Sequence, residues 1–129
     1  MAIQVDSSFI PASEKNQIMG LRRINQEQFE ELITELSQRA EGYIKAFTFQ
    51  KIEKLPEDIV KEIKELYIGW KLYAQVEWEE NSKDKYDAMI ELLNICRDNI
   101  IQEIKTGKDI NEDKDIIKAK GIKFSLYIS

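Results

Sequence analysis

The sequence predicts an all-α fold: a bundle of three long helices plus a short amino-terminal helix, with an extended or β-like carboxy-terminal arm. Three observations predict it. Apolar residues recur at spacings of three and four through most of the chain. Helix start and stop signals bracket those stretches. Glycine and proline are scarce, with five and two copies in 129 residues, so long uninterrupted elements are expected.

The length of the chain suits one ordinary domain and is short for two. We divide it into an amino-terminal segment with a short helix (1–24), a helical core domain (25–107) and an extended carboxy-terminal arm (108–129). In the first segment, Ser13 is predicted to cap a short helix that runs to Met19 and stops at Gly20. The chain just before Pro11 is predicted to be extended.

The first long helix is predicted from Asn25 to about Phe47. Asn25 is a good N-cap, and Gln28 three residues later completes a capping box. One apolar stripe follows at spacings of three and four. It consists of Phe29, Leu32, Ile33, Leu36, Ala40, Tyr43, Ile44 and Phe47.

The second long helix is predicted to start at Pro56, since proline suits a first helical turn, and to run to about Trp78. Two neighbouring apolar seams make a wide face, so this helix should be the most buried one. The seams are Ile59, Ile63, Leu66, Trp70 and Tyr73, and Val60, Tyr67 and Ala74.

The third long helix is predicted from Lys83 to about Thr106, with Ser82 as its cap and Gly107 just past its end. The preceding "EENSKDK" is interpreted as a break between helices. The apolar stripe of this helix consists of Tyr86, Met89, Ile90, Leu93, Cys96 (or Arg97 alongside it), Ile100 and Ile104.

The arm ends in "GIKFSLYIS", where apolar and polar residues alternate, as in a β-strand. Such a strand pairs either with another segment of its own chain, such as the extended amino terminus, or with another molecule. We therefore predict interface positions at the four apolar residues Ile122, Phe124, Leu126 and Ile128.

The composition argues against an enzyme. The chain has no histidine, which removes the commonest general base and zinc ligand. The single cysteine, Cys96, lies on an apolar stripe and is interpreted as a small hydrophobic residue. Carboxylate pairs such as Glu30/Glu31, Glu57/Asp58, Glu79/Glu80 and Asp113/Asp115 are expected on solvated faces. No phosphate-binding or nucleophile motif is present. We predict no catalytic residue, no metal and no cofactor.

The charge distribution bears on partners. The net charge is −5 and the pI is about 4.9, which is unfavourable for general nucleic-acid binding. The balance is uneven, because residues 105–129 carry six lysines and four acidic residues. The mildly basic tail and the acidic body are expected to meet different surfaces. No window approaches the 18 apolar residues of a membrane span, and the amino terminus does not resemble a secretory signal.

Gly42 falls inside the predicted first helix, where glycine costs about 1 kcal/mol relative to alanine. One interpretation is close approach of the second helix with its bulky aromatic residues; the other is a tolerated surface glycine near a helix end. We predict helix-packing roles for Gly42, Tyr43, Phe47, Trp70, Tyr73 and Tyr86. Trp78, beside Glu77, Glu79 and Glu80, is predicted to contact a partner.

These residues also carry a family resemblance, in "RAEGYIKAF", "LPEDIVKEIKELYIGWKLYAQ" and "KYDAMIELLNICRDNIIQEIKTGKDI". Over residues 25–110 the chain resembles the small head–tail connector (adaptor) proteins of tailed phages, in the branch of Mu-like prophages long described as a domain of unknown function. The resemblance lies in the order and spacing of Gly42-Tyr43, Pro56, the patch Trp70, Leu72 and Tyr73, then Tyr86 and Gly107-Lys108. Ala40-Glu41 departs from the Ile-Asp that the family favours.

The resemblance implies a structural role without catalysis or cofactor. Such connectors form a ring, usually of twelve copies, between portal and tail, and help to line the DNA channel. The implied partners are further copies of this chain, the portal and tail-completion proteins, with passive contact to DNA and none to membrane. The implied location is the virion, and the host cytoplasm during assembly.

Two alternatives stay open. The first is a small cytoplasmic helical adaptor or regulatory protein that binds one protein partner through the rim around Trp78 and the arm, without forming a ring. The second is an enzyme that uses carboxylates, which would need a buried carboxylate that the periodicity does not show.

Overall fold

The computed structural model describes residues 5–106, and this part of the chain is mainly helical. Four α-helices follow one another: α1 (Ala12–Arg22), α2 (Gln26–Phe47), α3 (Glu57–Gln75) and α4 (Glu79–Thr106). Two short 3-10 helices, Ser7–Phe9 and Ile52–Lys54, complete the order, and residues 5–106 contain no strand. The predicted short helix and three long helices are confirmed. The predicted arm, its strand and Gly107 lie outside the described residues.

The bounds of α1 differ from the prediction. Pro11 precedes the first helical residue and no side chain caps the helix, so Ser13 is not its N-cap. Gly20 does not stop the helix either. The backbone turns at Arg23, in the left-handed region with φ 57°, and its N–H donates to the Gly20 carbonyl. The Ile24 N–H donates to the Met19 carbonyl, which completes a Schellman motif without glycine at the turn.

The helix α2 is built as its sequence predicts. The Asn25 side chain accepts from the Gln28 N–H at 2.8 Å, and the Gln28 side chain accepts from the Asn25 N–H at 2.9 Å. This capping box satisfies two backbone donors that the first turn leaves free. The face turned to the core buries Phe29, Ile33, Leu36, Ser37, Ala40 and Ile44.

The helix α3 lies between α2 and α4 and contributes most to the core, as the two seams predict. Ten residues of this helix are buried: Ile59, Val60, Ile63, Lys64, Leu66, Tyr67, Ile68, Gly69, Leu72 and Tyr73. It ends at Gln75, three residues before the predicted end at Trp78. Glu77 takes the left-handed conformation, with φ 62°, and the Trp78 N–H donates to the Tyr73 carbonyl at 2.9 Å.

The helix α4 therefore starts at Glu79, four residues earlier than predicted. Ser82 is not a cap: it is buried in the first turn of α4, where its hydroxyl donates to the Trp70 carbonyl of α3 at 2.9 Å. The polar stretch interpreted as a break is residues 79–85, which form the first two turns of α4 and are exposed apart from Ser82 and Lys85. Of the predicted stripe, Met89, Leu93, Cys96 and Ile100 are buried, whereas Ile104 is 61% exposed.

Polar contacts tie the elements together. The buried Lys64 of α3 pairs with Glu41 of α2 at 3.4 Å. The amino-terminal segment is held on the bundle by Glu30, which accepts from the Ser7 hydroxyl and pairs with Lys15 at 3.5 Å. Buried Val5, Ile10 and Ile18 add apolar contact there. Across residues 5–106, none of the helices combines the length and the apolarity that crossing a bilayer requires.

Candidate functional site

Five aromatic side chains from three helices form one continuous surface, which we call the aromatic face: Tyr43 and Phe47 of α2, Tyr67 and Trp70 of α3, and Tyr86 of α4. Neighbouring ring centroids lie 4.7 to 6.2 Å apart, from Phe47 through Tyr43 and Tyr67 to Trp70 and Tyr86. The Tyr43 and Trp70 rings also meet edge to face at 6.1 Å. These separations are typical of favourable aromatic pairs.

The helix periodicity explains why the rings converge. Tyr43 and Phe47 are four residues apart on α2, and Tyr67 and Trp70 are three apart on α3, so each pair shares one helix side. Tyr67 is buried, with 7% exposed, whereas the other four are only half-buried. The aromatic face thus closes one side of the core and still reaches solvent.

Basic side chains border the aromatic face. The Lys71 ammonium lies 3.9 Å from the Trp70 ring centroid and 5.6 Å from that of Tyr67. The Arg97 guanidinium lies 5.7 Å from the Phe47 ring and 5.6 Å from that of the exposed Phe49. These are cation–π distances. A surface of half-exposed aromatic rings and cations resembles the centre of a protein–protein interface.

Two hydroxyls of the aromatic face, those of Tyr43 and Tyr67, favour their neutral form. Loss of solvent raises the pKa of Tyr43 above its usual value, and the nearby Tyr86 and Tyr67 hydroxyls raise it further. Loss of solvent also raises the pKa of Tyr67, against the opposing effect of Arg39. At neutral pH both hydroxyls therefore keep their proton, and the hydroxyl of the half-buried Tyr43 can donate to an acceptor.

An open cleft of about 360 Å³ lies at the α4 end of the aromatic face. We call it the α3–α4 cleft. Trp70 and Tyr86 line its aromatic wall, and it adjoins the hydrogen bond from Ser82 to the Trp70 carbonyl. The remaining lining residues are Ala74, Glu77, Glu79 and Lys83. The cleft combines an aromatic wall with an acidic rim, which suits a partner segment with apolar and basic side chains.

Gly42 does not have the predicted close approach. It is exposed, and a Cβ built there would meet nothing within 4 Å. The alternative interpretation, a tolerated surface glycine, agrees with this geometry. The close approach occurs instead at Gly69 of α3, where an added Cβ would lie 3.2 Å from Cγ of Lys85.

Tyr73 and Trp78 form a separate aromatic pair, with centroids 5.7 Å apart. Tyr73 is buried, and its hydroxyl donates to Glu14 of α1 at 2.9 Å. Burial, followed by the hydrogen bond and the charge of Glu14, raises the pKa of Tyr73 to about 12. Trp78 is half-buried, and its role in an interface stays a prediction, as do those of Ile122, Phe124, Leu126 and Ile128, outside the described residues.

Two carboxylates missed by the sequence reasoning are perturbed. Glu62 and Glu65 lie three residues apart on α3, partly shielded from solvent. Desolvation, with Glu65 nearby, raises the pKa of Glu62 to about 7 against Lys85 and Lys61. Desolvation also raises the pKa of Glu65, with a further contribution from Asp6.

Lys61 and Lys85 lie near both carboxylates, and each lowers the pKa of both against the effect of desolvation. The described residues hold no cluster of three potential metal ligands. Cys96 is 2% exposed, and burial raises its pKa to about 12, so the thiolate is strongly disfavoured at neutral pH.

Sequence reasoning missed several members of the site. Tyr67 lies in a predicted seam and Lys71 follows Trp70 directly, so their spacing is the signal that identifies them. Glu77, Lys83 and Ala74 line the cleft only because α3 ends early and α4 starts early, which depends on the left-handed turn at Glu77.

In comparisons with known proteins, no family model, no curated protein and no solved structure matches this chain.

Proposed function

We propose that this chain is a structural protein of a phage or prophage, a head–tail connector that forms a ring between portal and tail and lines the DNA channel. The observation that supports it most is the aromatic face. Three residues of the connector-like motifs, Tyr43, Trp70 and Tyr86, come from three helices and meet on one half-exposed surface. We propose that neighbouring copies pack through this surface.

The half-burial of these rings matters for the proposal. Aromatic residues at helical spacing serve the core alone in many bundles, and then their rings are sealed from solvent. Here Tyr43, Phe47, Trp70 and Tyr86 keep exposed surface beside Lys71 and Arg97. A second copy that covers this surface would remove apolar area from water. Burial of apolar surface is favourable by roughly 25 cal/mol per Å².

The other parts of the proposal follow from the connector role. The proposed partners are further copies of the same chain, twelve to a ring, together with the portal and the tail-completion proteins. The net charge of −5 suits a channel through which DNA must slide without adhering. The proposed location is the virion, after assembly in the host cytoplasm, and the proposed role involves no catalysis, cofactor or membrane.

The proposal is tested by light scattering on the purified full-length chain, from dilute to near-millimolar concentration. A discrete species, near twelve times the 15.2 kDa chain or another closed-ring multiple, is the expected result. A monomer at every concentration that also fails to bind the portal protein would contradict it.

The α3–α4 cleft favours a second candidate, the small cytoplasmic helical adaptor or regulatory protein that forms no ring. A cleft of about 360 Å³ with an aromatic wall can hold a few side chains of a peptide segment. This candidate predicts a monomer that binds one partner in a one-to-one complex. Light scattering of the chain alone and then of its mixture with the portal protein separates the two candidates.

A further inference from the structure

The rim of the α3–α4 cleft carries an excess of negative charge. Glu77 and Glu79 line the cleft, and Glu80 and Asp84 are exposed on the first turns of α4. Among the described residues that line the cleft, the cation is Lys83, which pairs with Asp87 at 2.8 Å. Lys71, outside the lining, holds its ammonium 3.9 Å from the Trp70 ring centroid. The rim therefore attracts positive charge.

The end of the chain has the complementary composition. Residues 116–129, "IIKAKGIKFSLYIS", contain Lys118, Lys120 and Lys123 and no acidic residue. The same stretch contains apolar and aromatic residues such as Phe124 and Tyr127. It offers ammonium groups for the rim carboxylates and apolar side chains for the wall formed by Trp70 and Tyr86.

The length of the chain indicates which copy supplies this segment. The cleft lies beside Lys83 in the first turns of α4, whereas the tail leaves the far end of that helix after Thr106. A helix rises about 1.5 Å per residue, so these points are about 35 Å apart. The eleven residues 107–117 span at most about 40 Å when fully extended. To reach its own cleft, the tail would have to reverse direction and keep residues 107–117 almost fully extended. The tail of a neighbouring copy has no such constraint.

We propose that the α3–α4 cleft is the docking site for the basic carboxy-terminal segment, residues 116–129, of a neighbouring copy of this chain. The docking proposal rests on the proposed function, because it requires that copies of the chain associate. It adds that the cleft of one copy and the carboxy-terminal segment of the next form a contact between subunits. The contact is charge-dependent, so added salt weakens it.

A charge-exchange experiment on full-length chains tests the proposal. The cleft variant carries Glu77→Lys and Glu79→Lys, and the tail variant carries Lys118→Glu, Lys120→Glu and Lys123→Glu. Each variant alone presents like charges at the contact, so self-association measured by sedimentation should weaken by roughly tenfold or more. Mixing the two restores opposite charges between copies, and the mixture should associate again.

The matched control carries Glu53→Lys and Asp98→Lys, which change the net charge as the cleft variant does, at exposed positions outside the cleft lining. It should associate like the wild type. Circular dichroism verifies that each variant keeps its helices.

The possible failures are distinguishable. If wild-type chains form a ring but either variant associates as well as wild type, or the mixture stays dissociated, the docking proposal is overturned and the connector proposal stands. If the wild-type chain is a monomer at every concentration and on its portal, both proposals fail.

Discussion

Gly42 is an interior residue of α2 whose missing side chain leaves open space rather than a contact. We predict that Gly42→Ala raises the free energy of unfolding by about 0.5–1 kcal/mol, because alanine restricts the unfolded chain and favours the helix. Urea denaturation at dilute concentration measures this. Gly69→Ala is the matched comparison: its gain should be smaller, because the Lys85 stem must shift from a Cβ at 3.2 Å. A Gly42→Ala variant less stable than wild type would show an unrecognised contact at this position.

Glu62 makes the stability of the fold depend on pH. Its pKa rises from the ordinary 4.5 to about 7 on folding, so the native state holds this proton more tightly than the unfolded state. The resulting contribution to stability is present below about pH 4.5 and is lost as the pH rises through about 7. The groups that act on the pKa of Glu62 are Glu65, Lys85 and Lys61.

Glu62→Gln should therefore melt at a higher temperature than wild type at pH 8, and the difference should shrink toward pH 5. Thermal melting followed by circular dichroism at both pH values measures this. Glu53→Gln, an exposed carboxylate, is the control and should show no such trend. An equal difference at both pH values would mean that Glu62 titrates normally.

At the scale of the elements, the start of α2 depends on its capping box. We predict that Asn25→Ala lowers the free energy of unfolding by about 1 kcal/mol, because the Gln28 N–H loses the acceptor at 2.8 Å. Asn25→Asp keeps an acceptor and should stay near wild type. Chemical denaturation compares the three proteins, and equal stability of Asn25→Ala and Asn25→Asp would show that the cap does not stabilise the fold.

In this chain the start of α2 is predictable from the sequence, whereas the junction between α3 and α4 is not. Asn25 and Gln28 specify the start of α2 locally, so a sequence pattern suffices. The α3–α4 junction turns at Glu77 rather than at a glycine, so no residue type marks it. Ser82 resembles a cap in sequence, yet its hydroxyl bonds to the Trp70 carbonyl, a partner that only tertiary packing supplies.

At the scale of the whole molecule, the candidate site depends both on patterns within single helices and on how the helices pack together. The stripes identify Tyr43, Trp70 and Tyr86 one helix at a time, and their meeting follows from the pairing of α2, α3 and α4. Gly42 is next to Tyr43 in the sequence, yet it faces open space. Periodicity alone does not show which edge of a wide apolar stripe faces solvent. The cleft depends on the junction at Glu77 and was beyond sequence reasoning.

The arm provides a further prediction at this scale. Deletion of Ala119 to Ser129 should leave the fold intact and weaken assembly, because the proposed role of this segment is contact with a neighbouring copy. Circular dichroism and thermal melting report the fold, and light scattering reports assembly. If the truncated protein unfolds, the arm belongs to the core of the monomer.

The central claim is that copies of this chain associate through the aromatic face, and hydrogen exchange followed by mass spectrometry tests it most directly. The protein is compared at a dilute concentration at which light scattering gives the monomer mass and at a concentration at which that mass has risen. We predict added protection in peptides that cover Tyr43 to Phe49, Tyr67 to Lys71 and Ser82 to Tyr86, with no change in α1. Association that leaves these peptides unchanged and protects other surfaces would contradict the claim.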